Sequence, residues 1–183
     1  MGNSMIPIFS TGISMYKLDS INNAELKDYV LRNPNVNKPK KDIKDILNNV
    51  LFTKLNKFIK QKMNDHYHKI YNDRYNIELS EAWSNYGNDD SITIPHIHAA
   101  TFLSAVYYPQ AEDGEILFLN PMTGLLSKQR KNMIDQHNPY TSEYYSVAAR
   151  TGDLIIFSSM LTHFIKCPQN SNRISIAYNG IIK

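Results

Sequence analysis

The sequence predicts a mainly β protein, a sandwich or barrel of short strands with an amphipathic helical segment packed on its outside. Short β-rich runs follow one another over residues 79–179, separated by turn residues such as Asp-Gly at 113–114 and Thr-Gly-Asp at 151–153. Many short strands with such breaks are typical of sandwiches and barrels. Before them, residues 42–71 carry apolar side chains at helical spacing, which predicts one amphipathic helix, or two, lying on a flat surface.

The predicted elements place most of the strands in the second half of the chain. A short strand covers residues 12–18, and a loop rich in Pro, Asn and Lys covers 33–41. Seven further strands are expected over 79–86, 101–108, 115–120, 144–148, 153–158, 162–167 and 173–179. The polar stretch 121–140 forms a long excursion between strands. We expect a single domain over residues 1–183, in which 1–78 supply an N-terminal strand and supporting helices and 79–183 form the barrel core with the functional site.

Composition and charge narrow the class of protein. Apolar residues make up 42% of the chain and the net charge is only +3, which does not favour a nucleic-acid partner. No apolar run approaches the length of a membrane span, and the N-terminal residues lack the pattern of a signal peptide. The single cysteine, Cys167, excludes an internal disulfide and fits a reducing compartment. We expect a cytoplasmic protein, and an exposed barrel edge would allow a homodimer.

Three of the six histidines form the most informative pattern in the chain. His96 and His98 lie two residues apart in an extended segment, where side chains alternate, so both imidazoles are expected on one side. His163, after the strand at 153–158, can close a three-sided cap around a metal ion. Three protein ligands on one face, with open positions opposite, are what an oxygen-activating iron site needs. The alternative is three separate, half-buried imidazoles that each bond to backbone.

The other histidines do not fit this pattern. His66 and His68 lie in the helical segment, where about 100° per residue puts them on opposite faces, so we expect surface or packing roles. His137 lies in the polar excursion and is expected to be solvated.

Arg173 begins the last strand, on the face that also carries Ser175, Ala177 and Asn179. A guanidinium on the inward face of a strand needs an anion, because an unpaired buried charge is costly, and no acidic residue lies in this strand. A bound carboxylate could pair with Arg173 through two hydrogen bonds, and Ser175 could donate another. The alternative is a surface arginine on an edge strand.

Several segments match, in the same order along the chain, the motifs of a known group of enzymes. They are PHIH at 95–98, FLSAVYY at 102–108, DGEILF at 113–118, TGDLIIFS at 151–158, His163 and RIS at 173–175. Together, over roughly residues 80–181, they resemble the iron(II)/2-oxoglutarate-dependent dioxygenase superfamily. The order and spacing are similar to those of prolyl-hydroxylase-like members. They are most similar to a branch of small oxygenases with His-x-His where most relatives have His-x-Asp.

The resemblance implies a fold, an activity and a set of site residues. The fold would be a double-stranded β-helix, a flattened jelly-roll barrel with the metal at its mouth. The enzyme would be a dioxygenase that uses Fe(II) and 2-oxoglutarate to hydroxylate an unidentified substrate, a small molecule or a peptide, with no catalytic side chain beyond the metal centre. The implied metal ligands are His96, His98 and His163, and the implied 2-oxoglutarate-binding residues are Tyr108, Arg173 and Ser175.

Position 98 departs from the common pattern of the superfamily, because His98 stands where most relatives carry a carboxylate ligand. A neutral third ligand leaves the iron more positively charged. His98 could also lie outside the ligand set, with the position left open or filled by one of the nearby carboxylates, Asp89, Asp90 or Glu115. Tyr108 could be ordinary barrel core.

An alternative function is a jelly-roll protein that binds a metal or ligand without oxygenase activity, or a cupin-like enzyme that uses three histidines without 2-oxoglutarate. Arg173 discriminates between these and the dioxygenase, because neither alternative needs a cation at that place. The aromatic residues Trp83, Tyr86 and Tyr107 could line a substrate pocket or fill the core.

Overall fold

The computed structural model describes residues 11–33, 43–71, 74–87, 93–112, 114–123, 138, 141–166 and 172–183. The strands are β1 (Ser14–Lys17), β2 (Ile77–Gly87), β3 (Leu103–Gln110), β4 (Glu115–Leu119), β5 (Tyr144–Ala148), β6 (Asp153–Ser158), β7 (His163–Lys166) and β8 (Arg173–Ile182). The helices are α1 (Asn23–Arg32), α2 (Ile43–Asn48) and α3 (Thr53–Ile70), with a 3-10 turn, Val50–Phe52, before α3.

The strands form two antiparallel sheets that face each other. The larger sheet has the order β1-β6-β3-β8-β2, and the smaller sheet has the order β5-β4-β7. Between them lies an apolar core to which the small sheet contributes Ile116, Phe118 and Val147, and the large sheet contributes Tyr108 and Phe157 among others. The jelly-roll architecture expected from the sequence is thereby confirmed. Within it, β1 pairs with β6 and so adds an N-terminal strand to the large sheet.

The helices cover the outer face of the large sheet. Leu55, Ile59 and Met63 recur every four residues along α3, and these side chains form a second core with Ile156 and Tyr178 of the sheet. The large sheet is therefore buried on both faces. This explains why the segments of β3 and β6 read as nearly continuous apolar runs, whereas β8 alternates apolar residues with the buried polar residues Arg173, Ser175 and Asn179.

Two local features differ from the sequence prediction, and a third decides between the one helix and the two helices that the prediction left open for residues 42–71. Helix α1 was not expected, because residues 23–32 carry only two buried apolar residues, Leu26 and Val30. The helical segment predicted over 42–71 is interrupted at Asn49, whose extended backbone and side-chain bond to the Leu51 N–H begin a new turn. The strand predicted from residue 101 begins at Leu103, because Thr101 lies in a turn and donates a hydrogen bond to the His98 carbonyl.

The predictions for the two helical histidines are confirmed. His66 is buried, and its Nδ1 lies 2.7 Å from the Ser14 hydroxyl of β1. His68 is exposed and forms a hydrogen bond with the Tyr75 carbonyl. His137 and Cys167 lie outside the described residues. Among the helices of the described part, none is both long enough and apolar enough to cross a membrane.

Gly180 marks the closest approach between β8, β2 and α3, and its replacement tests this packing. A Cβ at this position would lie 2.5 Å from Ile77 Cγ2 and 3.3 Å from Met63 Sδ. Because both neighbours are buried, we predict that Gly180→Ala lowers the free energy of unfolding by about 1–3 kcal/mol, the usual cost of overpacking. Urea denaturation measures this change.

The matched control is Gly12→Ala, because a Cβ at Gly12 would meet no atom within 4 Å. The packing described for β8 would be wrong if both variants unfolded at the same urea concentration as the wild type.

Candidate metal centre

A short backbone bridge brings two distant segments of the chain together. The His96 N–H donates to the His163 carbonyl at 3.1 Å, and the His163 N–H donates to the His96 carbonyl at 3.0 Å. Two residues further on, the His98 N–H donates to the Ser159 carbonyl at 2.9 Å. The segment before β3 is thus tied to β7 and to the turn that precedes it. Both histidines of the His-x-His motif therefore lie beside His163.

The three imidazoles form one compact cluster, as the sequence predicted. The ring centres are 4.5 Å apart for His96 and His163, 5.1 Å for His96 and His98, and 5.2 Å for His98 and His163. One nitrogen from each ring lies within 4.8 Å of the other two, a spacing that could hold a single metal ion. His163 is buried, His98 is half-buried and His96 is exposed, so the cluster opens to solvent on the side of His96. On the buried side, the His163 ring packs against Phe157 at 4.7 Å between ring centres.

The hydrogen bonds of His96 and His163 leave a nitrogen of each ring available for a metal. His96 Nδ1 lies 2.8 Å from the Ile94 carbonyl, and His163 Nδ1 lies 2.9 Å from the Leu161 carbonyl. Because a carbonyl oxygen only accepts, each Nδ1 carries the proton and each Nε2 keeps its lone pair. Histidine ligands of protein metals are commonly oriented by such a bond from the other ring nitrogen. These two residues therefore fit a metal ion well.

Burial favours the neutral form of two of the clustered imidazoles, His163 and His98. The pKa of His163 is lowered to about 4, chiefly by burial, with the Leu161 carbonyl opposing the shift and the neighbouring His96 and His98 adding smaller lowering effects. Burial also lowers the pKa of His98, with a smaller contribution from His96. A metal ion binds only the neutral imidazole, so no proton need be displaced from His163 at neutral pH.

His98 has a different set of neighbours from the other two histidines. Its ring stacks on Trp83 at 5.5 Å between ring centres, and its Nδ1 lies 3.0 Å from the side-chain nitrogen of Asn179. The same Asn179 nitrogen donates to a carboxylate oxygen of Glu81 at 2.9 Å. Sequence reasoning assigned no role to Asn179 or Glu81. The signal that could have found Asn179 was its place on the same face of the strand as Arg173 and Ser175.

Arg173 lies in the interior of the barrel. It is 3% exposed, its guanidinium donates to the Tyr108 hydroxyl at 2.9 Å, and its charge lies 4.8 Å from the centre of the Tyr108 ring. Tyr108 and Ser175 are equally buried. Alternation along β8 puts Arg173 and Ser175 on the face that carries Asn179, which contacts His98. The arginine and the histidines therefore border the same interior, and the alternative of a surface arginine does not fit.

The alternative carboxylate ligands do not join the cluster in the described part of the chain. Glu115 is exposed and lies about 10 Å along β4 from Phe118, the residue paired with His163. Asp89 and Asp90 lie outside the described residues. Of the aromatic candidates, Trp83 borders the cluster, whereas Tyr107 packs in the core under the helices.

Comparison with known families identifies a match over most of the strand-rich half. Residues 81–179 match the model of a family described as "Putative 2OG-Fe(II) oxygenase". The match includes all six residues that the sequence proposed for the site. No curated protein matches the chain.

Several solved structures have a similar fold. HygX from Streptomyces hygroscopicus, crystallised with nickel and 2-oxoglutarate, has a TM-score of 0.63 at 13% identity over 93% of this chain and 82% of its own. A prolyl-4-hydroxylase from Pseudomonas putida has a TM-score of 0.56 at 12% identity, over 93% and 87%. AviO1 from Streptomyces viridochromogenes Tue57 has a TM-score of 0.56 at 10% identity, over 92% and 90%. At these identities the likeness shows a common fold.

The depressed pKa of His163 predicts how the metal-free protein responds to acid. Between the folded value of about 4 and the ordinary value of 6.5, the unfolded chain binds more protons at this position than the folded chain. Stability is therefore lost as the pH falls through this window. We predict that His163→Gln, which cannot be protonated there, removes up to roughly 3 kcal/mol of the acid-induced loss.

The measurement is the free energy of urea unfolding at pH 7 and at pH 4.5, with a chelator present, for the wild type and the variant. Carboxylates contribute equally to both proteins, so the difference isolates His163. Identical pH dependence in the two proteins would contradict a neutral, buried imidazole at this position.

Proposed function

We propose a metal site, a cosubstrate site and a substrate class for this chain, which belongs to the 2OG-Fe(II) oxygenase family. The family match covers residues 81–179, more than half of the 183 residues. As a member of this family, the protein is an oxygenase that depends on Fe(II) and 2-oxoglutarate. When bound, these two groups supply the oxygen activation that oxidises the substrate. The chain itself must bind them, orient them and keep water from the reacting atoms.

We propose that His96, His98 and His163 hold the iron. The observation that carries this assignment is the convergence of three imidazole nitrogens within 4.8 Å of one another. Two further observations support it: the carbonyls of Ile94 and Leu161 fix the rings of His96 and His163, and burial keeps His163 neutral. With the open side at His96, the remaining coordination positions would face the barrel mouth.

We propose that Arg173, Ser175 and Tyr108 hold the far carboxylate of 2-oxoglutarate. Arg173 is the only one of the three with a permanent charge, and a guanidinium can pair with a carboxylate through two parallel hydrogen bonds. The Tyr108 hydroxyl, which accepts from the guanidinium, can donate its own proton to the same carboxylate. Burial of all three residues strengthens these bonds, because little water competes for the partners.

We propose a small molecule or a peptide as the substrate, entering on the exposed side of the cluster beside His96. One structure of HygX, which shares the fold at a TM-score of 0.52, contains hygromycin B together with nickel and 2-oxoglutarate. That precedent supports a small-molecule substrate for this fold. Three further points remain predictions from the sequence. They are a single domain over residues 1–183 with 79–183 as the core that carries the site, a cytoplasmic location, and a homodimer.

Replacement of Arg173 tests the proposed function directly. We predict that Arg173→Ala weakens 2-oxoglutarate binding at least about 100-fold, because a buried, charge-assisted pairing is lost. Calorimetric titration of 2-oxoglutarate into the nickel-loaded protein measures the binding, and succinate release with Fe(II) and oxygen measures turnover. The matched control is Arg150→Ala, which removes an exposed arginine on the loop before β6.

The proposed site requires that Arg150→Ala binds 2-oxoglutarate like the wild type and that Arg173→Ala does not. Equal affinity in all three proteins would overturn the assignment of the cosubstrate site. Nickel affinity should be the same in the wild type and Arg173→Ala, which separates loss of the cosubstrate from loss of the metal.

A further inference from the structure

We infer that Asn179, oriented by Glu81, decides whether His98 can act as the third metal ligand, by selecting which ring nitrogen of His98 carries the proton. This inference rests on the metal site of the proposed function. Asn179 and Glu81 would be positioning residues, since they act on the metal only through His98.

Register across the large sheet places Asn179 between two polar neighbours. Asn179 of β8 pairs with Glu81 of β2 on one side and with Ser104 of β3 on the other. Its amide nitrogen donates to Glu81 Oε2 at 2.9 Å, and its oxygen accepts from the Ser104 hydroxyl at 2.8 Å. Asn179 is 1% exposed and Ser104 is 3% exposed, so protein groups rather than bulk water supply the partners of the amide.

Glu81 determines which way the Asn179 amide faces. An ionised carboxylate only accepts hydrogen bonds, so it requires the NH2 group on its side. The Ser104 hydroxyl could serve either orientation, because a hydroxyl both donates and accepts. Of the two protein neighbours flanking the amide, only Glu81 therefore fixes its direction, and the NH2 group is turned toward Glu81 and His98 together.

The tautomer of His98 follows from this orientation. The Asn179 nitrogen, 3.0 Å from His98 Nδ1, can only donate, so Nδ1 accepts and the proton of the neutral ring lies on Nε2. His96 and His163 carry the opposite arrangement, with Nδ1–H donated to a carbonyl. Two of the three imidazoles thus offer a lone pair at Nε2, whereas His98 offers an N–H.

Metal binding by His98 through Nε2 requires a change at Asn179. The proton must move to Nδ1 and find an acceptor there, which the amide provides if it turns by 180° and presents its oxygen. That oxygen would then face the Glu81 carboxylate, and the two acceptors repel each other. The negative charge of Glu81 therefore opposes ligation by His98, and the third ligand is held more weakly than the other two.

The first test reads the tautomer in the metal-free protein. Nitrogen-15 NMR distinguishes protonated from unprotonated ring nitrogens, and single histidine variants assign the signals. We expect an unprotonated Nδ1 and a protonated Nε2 for His98, and the reverse for His96 and His163. A protonated Nδ1 in His98 would overturn the inference, and this result does not depend on any bound metal.

The second test uses Glu81→Gln, because a glutamine side chain both donates and accepts hydrogen bonds and can therefore pair with either orientation of the Asn179 amide. We expect this variant to shift the proton of His98 toward Nδ1 and to tighten Ni²⁺ binding about tenfold, the order of magnitude by which residues that orient metal ligands change metal affinity. Loss of a negative charge alone would weaken cation binding, so a gain reports the change at His98. The matched control is Glu78→Gln, on the same strand but paired with Lys60, which should leave the affinity unchanged.

A double-mutant cycle assigns the effect to His98. In a His98→Ala background, Glu81→Gln should no longer tighten Ni²⁺ binding, because the residue that transmits the effect is gone. Weaker binding in Glu81→Gln, or the same gain without His98, would overturn the inference. If the wild type and His163→Ala bound Ni²⁺ equally, the proposed metal site would fail, and the tautomer measurement would still decide the role of Asn179.

Discussion

The pair of backbone hydrogen bonds between His96 and His163 is the constraint on which the site depends. These bonds attach an extended segment, which belongs to no regular strand, to the first residue of β7. Together with the bond from the His98 N–H to the Ser159 carbonyl, they fix the position of the His-x-His motif relative to His163, so that the three imidazoles meet. The rings of His96 and His163 are oriented locally, each by the carbonyl two residues before it in the chain, Ile94 and Leu161. The backbone bridge thus supplies the convergence of the histidines, and the local carbonyls supply the tautomers of two of them.

The rest of the site follows from burial of polar groups on the inner face of β8. Arg173, Ser175 and Asn179 are all nearly inaccessible to water, and buried polar groups require partners. The neighbouring strands provide them: Tyr108 and Ser104 from β3, and Glu81 from β2. Because the outer face of the large sheet is covered by α3, this row cannot turn outward without burying its polar groups against apolar helix residues. The sheet therefore fixes the row that extends from the arginine to the third histidine.

Much of the fold and most of the site residues could be predicted from sequence, for identifiable physical reasons. Alternation placed Arg173 and Ser175 on one face, and spacing along extended chain placed His96 beside His98. Helix α1 was missed because its buried side chains are too few to produce a clear period. Two helices over 42–71 were one of the predicted alternatives, but the position of the break at Asn49 depends on a single side-chain hydrogen bond. Glu81 could not be found because its role exists only through its register with Asn179, almost a hundred residues away. Sequence patterns within one element carry no information about such pairs.

The most direct measurement of the central claim is a crystal structure of the protein with Fe(II) and 2-oxoglutarate bound under anaerobic conditions, with the iron located by its anomalous scattering. The account predicts a single iron in contact with Nε2 of His96, His98 and His163, the oxygen of Asn179 facing His98 Nδ1, and a carboxylate of 2-oxoglutarate on the Arg173 guanidinium. An iron position away from these histidines, or a 2-oxoglutarate carboxylate with no contact to Arg173, would contradict it.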